Sequence, residues 1–187
     1  MSTSLELIES KGVRALTLRE IGSRLGVSRT APYRHFADKR ALLAALGAGG
    51  FKEFGNVLDQ ARRAATGTYL NQLDAMGAAY VQFAAQHGAH FEVMFGSGGE
   101  AVELDPEGAK AAERAFGILE ETIRHGQAAG EIVDGNSVDL ARMVWSLVHG
   151  ISLLGFGSGS GSQHCSGSEF PPFCFAHLRA GIQKRSK

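Results

Sequence analysis

Apolar residues recur three and four positions apart along almost the whole chain, a spacing that places them on one face of a helix. No segment alternates between apolar and polar residues in the manner of a half-buried strand. Together with the residues that cap each pattern, this spacing predicts an all-α fold with helices at about 5–11, 18–25, 29–36, 39–46, 51–65, 68–87, 106–129, 137–155 and 173–184. The Gly/Ser-rich residues 157–168 are predicted to form a flexible loop.

Two short predicted helices near the N-terminus are separated by a tight turn. Thr17 and Glu20 form the S/T-x-x-E pattern of a capping box, and Gly26 ends the first helix. Ser28 is a favourable N-cap for the second helix. The apolar side chains predicted to fill the space between the two helices are Leu18, Ile21, Leu25 and Val27. This arrangement indicates a helix-turn-helix.

The second helix of this motif carries a polar surface that suits a DNA groove. Arginine grips guanine edges in the major groove, and threonine contacts a base or a phosphate. Tyrosine, histidine and lysine suit phosphate contacts, which position the protein without reading the sequence. The residues with these side chains are Arg29, Thr30, Tyr33, Arg34, His35 and Lys39. The alternative roles are core packing for Tyr33 and His35, and solvated surface charges for the arginines and the lysine.

The distribution of charge points to a polyanionic partner for the N-terminal quarter. The chain as a whole has 19 basic and 19 acidic side chains. Residues 1–46 hold eight of the basic and four of the acidic ones, which leaves 11 basic and 15 acidic residues in the remainder. A basic N-terminal segment followed by an acidic remainder is expected of a protein whose small N-terminal module binds nucleic acid. Solvated helices can carry a similar imbalance of charge.

The DNA-binding domain of TetR-family regulators closely resembles one stretch of this chain, T-L-R-E-I-G-S-R-L-G-V-S-R-T-A-P-Y-R-H-F-A-D-K-R-A-L-L. The L-G-V-S turn, the Y-R-H-F end of the recognition helix and the K-R-A-L-L start of the next helix carry the resemblance. It implies base and phosphate contacts by Arg19, Ser28, Arg29, Thr30, Tyr33, Arg34, His35 and Lys39. Family members usually have a longer first helix with basic residues before the position of Leu5. The alternatives are that this phosphate contact is missing, with weaker DNA binding expected, or that the start of the chain is truncated.

A second resemblance lies in the C-terminal part of the chain. The segments F-E-V-M-F at 91–95 and W-S-L-V-H-G at 145–150 are similar to the C-terminal domain of a TetR subgroup with a Trp-His-Gly pattern. The two resemblances together imply a DNA-binding domain at residues 1–47 and a ligand-binding and dimerisation domain at residues 48–187. Trp145 and His149 share one helical face, where they either line a ligand pocket or belong to the core.

An internal cavity for a small apolar or aromatic effector is expected in the second domain, because methionine and aromatic side chains build adaptable apolar pockets. Core packing is the alternative role for each of these side chains. The candidate ligand-binding residues are Phe83, Phe91, Met94, Phe95, Phe116, Met143, Trp145 and His149.

Metal and catalytic chemistry have little support in the sequence. Zinc accepts cysteine and histidine ligands, and two pairs of such residues occur, His164 with Cys165 and Cys174 with His177. The first pair lies in the Gly/Ser-rich segment, and neither pair is a Cys-x-x-Cys motif. There is no HExxH motif, no phosphate-binding glycine loop and no nucleophile elbow. We therefore expect no metal site, no cofactor and no enzymatic activity.

The two C-terminal helices, at about 137–156 and 172–184, are expected to join two copies of the chain in a four-helix bundle. A symmetric dimer places two recognition helices one DNA turn apart, about 34–36 Å, and so demands a near-palindromic operator. An effector would release a repressor of this kind from double-stranded DNA. With no membrane-spanning run or signal peptide, a cytoplasmic location is expected. The main alternative is a helical interaction module with a degenerate helix-turn-helix.

Overall fold

Helices dominate the structure, a computed structural model that describes residues 1–96, 102–155 and 169–184. Within these ranges the only strand-like pairing is a single bridge between Ile132 and Gln183, which confirms the all-α class. No helix in the described ranges is long and apolar enough to cross a membrane. The α-helices are α1 (Ser2–Lys11), α2 (Leu18–Arg24), α3 (Lys39–Ala64), α4 (Tyr69–Gln86), α5 (Gly88–Phe95), α6 (Pro106–Ala128), α7 (Ser137–Leu153) and α8 (Phe170–Ile182).

The second helix of the predicted helix-turn-helix is much shorter than the sequence indicated. The pattern predicts a helix over 29–36, but the helical segment that forms there is the 3-10 turn Pro32–Arg34. The N–H of Ala31 bonds the carbonyl of Ser28 at 3.0 Å, so the chain closes over three residues, and Pro32 has no N–H to offer an α-helix. The Ser28 hydroxyl lies 3.3 Å from that of Thr30, and not on the backbone that it was predicted to cap.

α3 continues through Gly49 and Gly50, where the sequence analysis predicted two separate helices at 39–46 and 51–65. Asp38 caps this helix, because its Oδ1 accepts a hydrogen bond from the N–H of Ala41 at 2.8 Å. Gly50 is buried, and a Cβ there would lie 2.7 Å from Sδ of Met94. The second glycine therefore permits close packing of α5 on α3 and does not end the helix.

Two helix starts also differ from the prediction. The sequence analysis predicted no helix directly after the one at 68–87. The structure has one there, α5, which follows α4 after a break at His87 and buries most of its apolar residues. α8 begins at Phe170, three residues earlier than predicted, because Pro171 and Pro172 fit a first turn whose N–H groups have no helical partner. The loop predicted at 157–168, with His164 and Cys165, lies outside the described residues.

The helices form two compact units, which we call the first and the second unit. The first comprises Met1–Glu53 and His87–Ala112, and the second comprises Phe54–Gln86 and Glu113–Lys187. α3 and α6 each contribute residues to both. The core of the first unit is built mainly of apolar side chains from α1, α2 and α3, including Leu7, Ile8, Leu18, Ile21, Leu42, Leu43 and Leu46.

Leu25 and Val27 are not in this core, although the sequence analysis placed them between the helices. Their side chains are 54% and 46% exposed. Both follow the last residue of α2, Arg24, so the helical spacing that buries Leu18 and Ile21 no longer applies to them. The prediction that these two residues fill the space between the helices is wrong.

Candidate nucleic-acid interface and aromatic cluster

Thr17 caps α2, the first helix of the helix-turn-helix. Its hydroxyl accepts a hydrogen bond from the N–H of Glu20 at 3.1 Å, as the capping box predicts. The Glu20 carboxylate does not reach back to Thr17 but pairs with Nζ of Lys11 at 2.9 Å. The hydrogen bond and the charge of Lys11 hold the pKa of Glu20 below its ordinary value. α2 is thus capped by Thr17 and tied to α1 by this ion pair.

The turn after α2 depends on two glycines. Gly26 has a φ of 65°, the positive value expected of the turn glycine. A Cβ on Gly22 would lie 3.3 Å from Cγ of Pro32 and 3.5 Å from the carbonyl oxygen of Ser28. Residues 28–36, which we call the reading segment, therefore pack directly on the backbone of α2.

The reading segment presents its polar side chains to solvent. Pro32 of the segment is buried, and Phe36 is half-buried against the core of the first unit. The side chain of Tyr33 is 54% exposed, so it lies at the surface and not in the core. The predicted DNA contacts that are exposed are Arg19, Ser28, Arg29, Thr30, Tyr33, Arg34 and His35.

The three arginines of this surface differ in their ion pairing from Arg62 and Arg179 of the other unit. Arg19, Arg29 and Arg34 form no ion pair with any residue that the structure describes. In contrast, Arg62 lies 2.7 Å from Asp59, and Arg179 is paired with a carboxylate of α4. Guanidinium groups without a carboxylate partner keep their N–H donors for phosphate oxygens and guanine edges.

Lys39, the eighth predicted DNA contact, is half-buried and held in place. Its Nζ donates to the carbonyl oxygens of Val13 at 2.8 Å and Arg14 at 3.1 Å. These bonds tie the 3-10 turn Val13–Ala15 to the first turn of α3. Because an ammonium group has three N–H donors, a phosphate contact by Lys39 would add to this structural role.

An aromatic cluster in the second unit contains four of the eight residues predicted to bind a ligand. Phe54 of α3 lies at its centre, with its ring centroid 4.8 Å from that of Tyr80 and 5.8 Å from that of Trp145. The rings of Phe83 and Phe116 pack on Phe54 and Trp145, at 5.1 and 5.8 Å. The members are Phe54, Tyr80, Phe83, Phe116, Trp145 and His149.

Tyr80 and His149 form a hydrogen bond within this cluster. The phenol oxygen of Tyr80, which is 2% exposed, lies 2.8 Å from Nδ1 of His149. Burial raises the pKa of Tyr80 and lowers the pKa of His149, so the phenol keeps its proton and the imidazole is neutral near pH 7. A neutral polar pair among aromatic rings is the composition that orients a small ligand in an apolar pocket.

The other predicted ligand-binding residues are not members of the aromatic cluster. Phe91, Met94 and Phe95 belong to the first unit, where the ring of Phe95 packs on that of Phe51 at 5.3 Å. Met143 is 46% exposed on α7. Sequence reasoning missed Phe54 and Tyr80, although Tyr80 lies three residues before Phe83 and so on the same face of α4.

Cys174 and His177 lie on α8 without a further metal ligand beside them in the described ranges. The His177 ring packs on the ring of Phe173 at 4.1 Å, and its Nδ1 lies 2.9 Å from the carbonyl oxygen of that residue.

Two family models match this chain. Residues 1–46 match the bacterial regulatory proteins of the tetR family, and residues 73–164 match the tetracyclin repressor-like C-terminal domain. The chain belongs to the TetR family. It is therefore a DNA-binding regulator of transcription, as the resemblance of its N-terminal segment implied. Proteins of this family are regulators and not enzymes.

Two curated relatives align with this TetR-family protein over short segments. The class C tetracycline repressor of Escherichia coli is 52% identical over 44 residues, which are 24% of this chain and 20% of that repressor. The class A repressor from transposon 1721, also from Escherichia coli, is 51% identical over 43 residues, 23% of this chain and 20% of the repressor. The chain therefore matches these curated relatives over only about a fifth of their length.

Solved structures resemble this TetR-family protein over nearly its whole length. A protein of unknown function from Rhodococcus sp. RHA1 is 27% identical, with a TM-score of 0.82 over 97% of this chain and 92% of that chain. A regulatory protein in the tetR family from Rhodococcus RHA1 is 21% identical, with a TM-score of 0.76 over 99% of this chain and 95% of that chain. The second likeness shows that the two proteins share a fold.

Proposed function

We propose that this TetR-family protein is a homodimeric, cytoplasmic repressor that occupies a near-palindromic operator and leaves it when a small apolar or aromatic effector binds. The observation that carries the proposal is the exposed reading segment, whose Arg29 and Arg34 have no carboxylate partner among the described residues. A dimer bound across an operator would exclude other proteins from that DNA, which is the simplest route to repression.

The reading segment divides into groups with different roles on DNA. Arg29, Thr30 and Arg34 would contact base edges, where a bidentate arginine discriminates guanine by about 1–3 kcal/mol. Phosphate contacts would position the segment without specifying sequence. The residues in this second role are Arg19, Ser28, Tyr33, His35 and Lys39.

Exposed apolar side chains on α7 and α8 support a dimer interface there. Between Met143 and Leu153, α7 has no charged residue, and the single charged residue of α8, Arg179, is paired with Asp74. Apolar surface depleted of charge is typical of homodimer interfaces, and a symmetric pair of such surfaces would present two reading segments to a near-palindrome. The exposed side chains are Met143, Leu153, Leu154, Phe170 and Phe173, with exposures between 39% and 59%.

The aromatic cluster supports an effector of apolar or aromatic character. Its rings offer faces and edges for stacking, and the Tyr80–His149 pair offers one polar contact that would fix the orientation of the ligand. If the domain boundary lies at about residue 47, the whole cluster belongs to the ligand-binding domain, because all its members follow that position.

α3 offers a route by which an effector would change DNA affinity. The helix begins at Lys39, which holds the turn Val13–Ala15, and also carries Phe54 of the aromatic cluster. An effector that displaced Phe54 would act on this helix. It would release DNA only to the extent that it binds the DNA-incompetent state better, and a coupling of about 1–3 kcal/mol would change operator affinity about 5–150-fold.

Selection of bound duplexes from a randomised oligonucleotide pool by the purified protein tests the proposal. The expected result is a near-palindromic consensus whose binding weakens steeply with salt. The double variant Arg29→Ala, Arg34→Ala should fold normally and enrich no consensus. If the unaltered protein showed no salt-sensitive binding to any duplex, the helical interaction module would be the better interpretation.

A further inference from the structure

The first turn of α5 brings two imidazoles next to a carboxylate of α3. His87 is the N-cap residue of α5, and His90 lies in the first turn of that helix. One potential ligand atom from each of Glu53, His87 and His90 lies within 4.8 Å of the other two. All three residues belong to the first unit and stand apart in sequence from the reading segment.

Gly50 explains why these side chains meet. A Cβ on Gly50 would lie 3.3 Å from Cδ2 of His90, so the imidazole packs against the backbone of α3. Glu53 follows Gly50 by three residues and therefore lies one turn further along the same face of the helix. Burial lowers the pKa of His90, and the carboxylate of Glu53 is the strongest of the neighbouring charges that oppose this shift.

We propose that Glu53, His87 and His90 bind a divalent transition-metal ion of the zinc class. Two imidazole nitrogens and one carboxylate oxygen are a ligand set that zinc accepts, with water in the fourth position. Bonds of about 2.0–2.1 Å place tetrahedral ligand atoms about 3.3 Å apart, so no pair of ligand atoms has to close by more than about 1.5 Å. Side-chain rotation of the exposed Glu53 and of the half-buried imidazoles supplies a movement of this size.

The bound ion would cross-link α3 to α5. At present these helices are held together by packing such as that of Met94 on Gly50, and α5 is held to the turn Val13–Ala15 by a long hydrogen bond from the N–H of Val13 to Glu92 at 3.5 Å. A ligand that binds the folded chain alone raises its stability, so the metal should raise the unfolding temperature.

Isothermal titration of the metal-free full-length protein with Zn²⁺ tests the site. We expect one ion per chain, and roughly tenfold or greater loss of affinity in His90→Gln and in Glu53→Gln, because each removes a metal ligand. The control is His177→Gln, which removes an exposed histidine of α8 and should leave the affinity unchanged. Circular dichroism establishes that each variant folds; if His90→Gln does not, the exposed Glu53→Gln decides.

A second measurement uses Co²⁺, whose visible absorption reports tetrahedral coordination. The bands should appear on titration of the unaltered protein and disappear in Glu53→Gln. Equal Zn²⁺ affinity in the unaltered protein and Glu53→Gln, or an equal loss in His177→Gln, would overturn the proposal. Neither measurement involves DNA, so each outcome tests the metal site separately from the proposed operator binding.

Discussion

The phenol oxygen of Tyr80 lies 2.8 Å from Nδ1 of His149, and this hydrogen bond joins α4 to α7 within the aromatic cluster. The ring of Trp145 packs edge-on against that of Tyr80 at 5.3 Å, so the pair lies beside the single tryptophan of the chain. A buried pair stabilises a protein only while both partners are present, because either one alone leaves a polar group without its bond.

Tyr80→Phe should therefore destabilise the protein by about 1–3 kcal/mol, the cost of leaving a buried polar group unpaired. Urea denaturation followed by circular dichroism measures the free energy of unfolding. The matched control is Tyr69→Phe, which removes a half-buried hydroxyl that makes no hydrogen bond with the described residues and should change stability little. Equal effects of the two substitutions would show that the Tyr80–His149 bond is not stabilising.

The stability should fall as the pH drops below about 6.5, the ordinary pKa of histidine. Burial lowers the pKa of His149 in the folded protein, so in this range the unfolded chain binds a proton that the folded chain does not. The contribution is complete above the ordinary pKa and is lost as the pH falls towards the lowered one.

His149→Gln should flatten this pH dependence of the unfolding free energy between pH 5 and pH 8. A residual slope should remain, because burial also lowers the pKa of His90. Urea denaturation at several pH values measures both slopes. A variant with the same pH dependence as the unaltered protein would contradict the assignment of His149 as a neutral, half-buried histidine.

Local patterns predicted most of the fold, and long-range contacts account for what was missed. The cap at Thr17 and the burial of Leu18 and Ile21 follow from local signals, so the sequence analysis predicted them correctly. α5 has no polar face strong enough to produce a helical period. The meeting of Phe54 and Tyr80 depends on packing between helices, which periodicity does not encode.

The neighbouring glycines of α3 should respond in opposite ways to substitution by alanine. Nothing lies within 4 Å of a Cβ on Gly49, so Gly49→Ala should stabilise the helix by about 0.5–1 kcal/mol. A Cβ on Gly50 would press on Sδ of Met94 at 2.7 Å, so Gly50→Ala should destabilise the protein by about 1–3 kcal/mol. Thermal unfolding of the two variants measures the difference, and two stabilising substitutions would contradict the close packing of α5 on α3.

Arg29→Ala should weaken operator binding by about 1–3 kcal/mol and relax the base preference at one position. Fluorescence anisotropy with the selected operator and single-base variants of it measures both effects. Arg124→Ala is the control, because Arg124 is an exposed arginine of α6 far from the reading segment in sequence. If the base preference were unchanged in Arg29→Ala, this residue would contact phosphate groups and not base edges.

Lys39→Ala should weaken binding to all duplexes alike and lower the salt slope by about one. It should also lower the free energy of unfolding by about 1 kcal/mol, because Nζ no longer bonds the carbonyl groups of Val13 and Arg14. Anisotropy at several salt concentrations and urea denaturation separate the two effects. An unchanged salt slope with reduced stability would leave Lys39 a purely structural role.

Phe173→Glu should convert the dimer to a monomer, because it places a charge within the apolar surface of α7 and α8. Analytical ultracentrifugation measures the mass. Gln82→Glu, which adds the same charge at an exposed position of α4, should leave the dimer intact. A dimer that persisted in Phe173→Glu would place the interface elsewhere.

The missing side chain at Gly22 lets Pro32 and the carbonyl of Ser28 rest on α2. Attempts to retarget this protein to new operators by mutagenesis should therefore randomise the solvent-facing positions Arg29, Thr30 and Arg34 and keep residue 22 unchanged. A methyl group at position 22 would tilt all three side chains together. A library of variants with this change would therefore sample displaced reading segments instead of new base preferences.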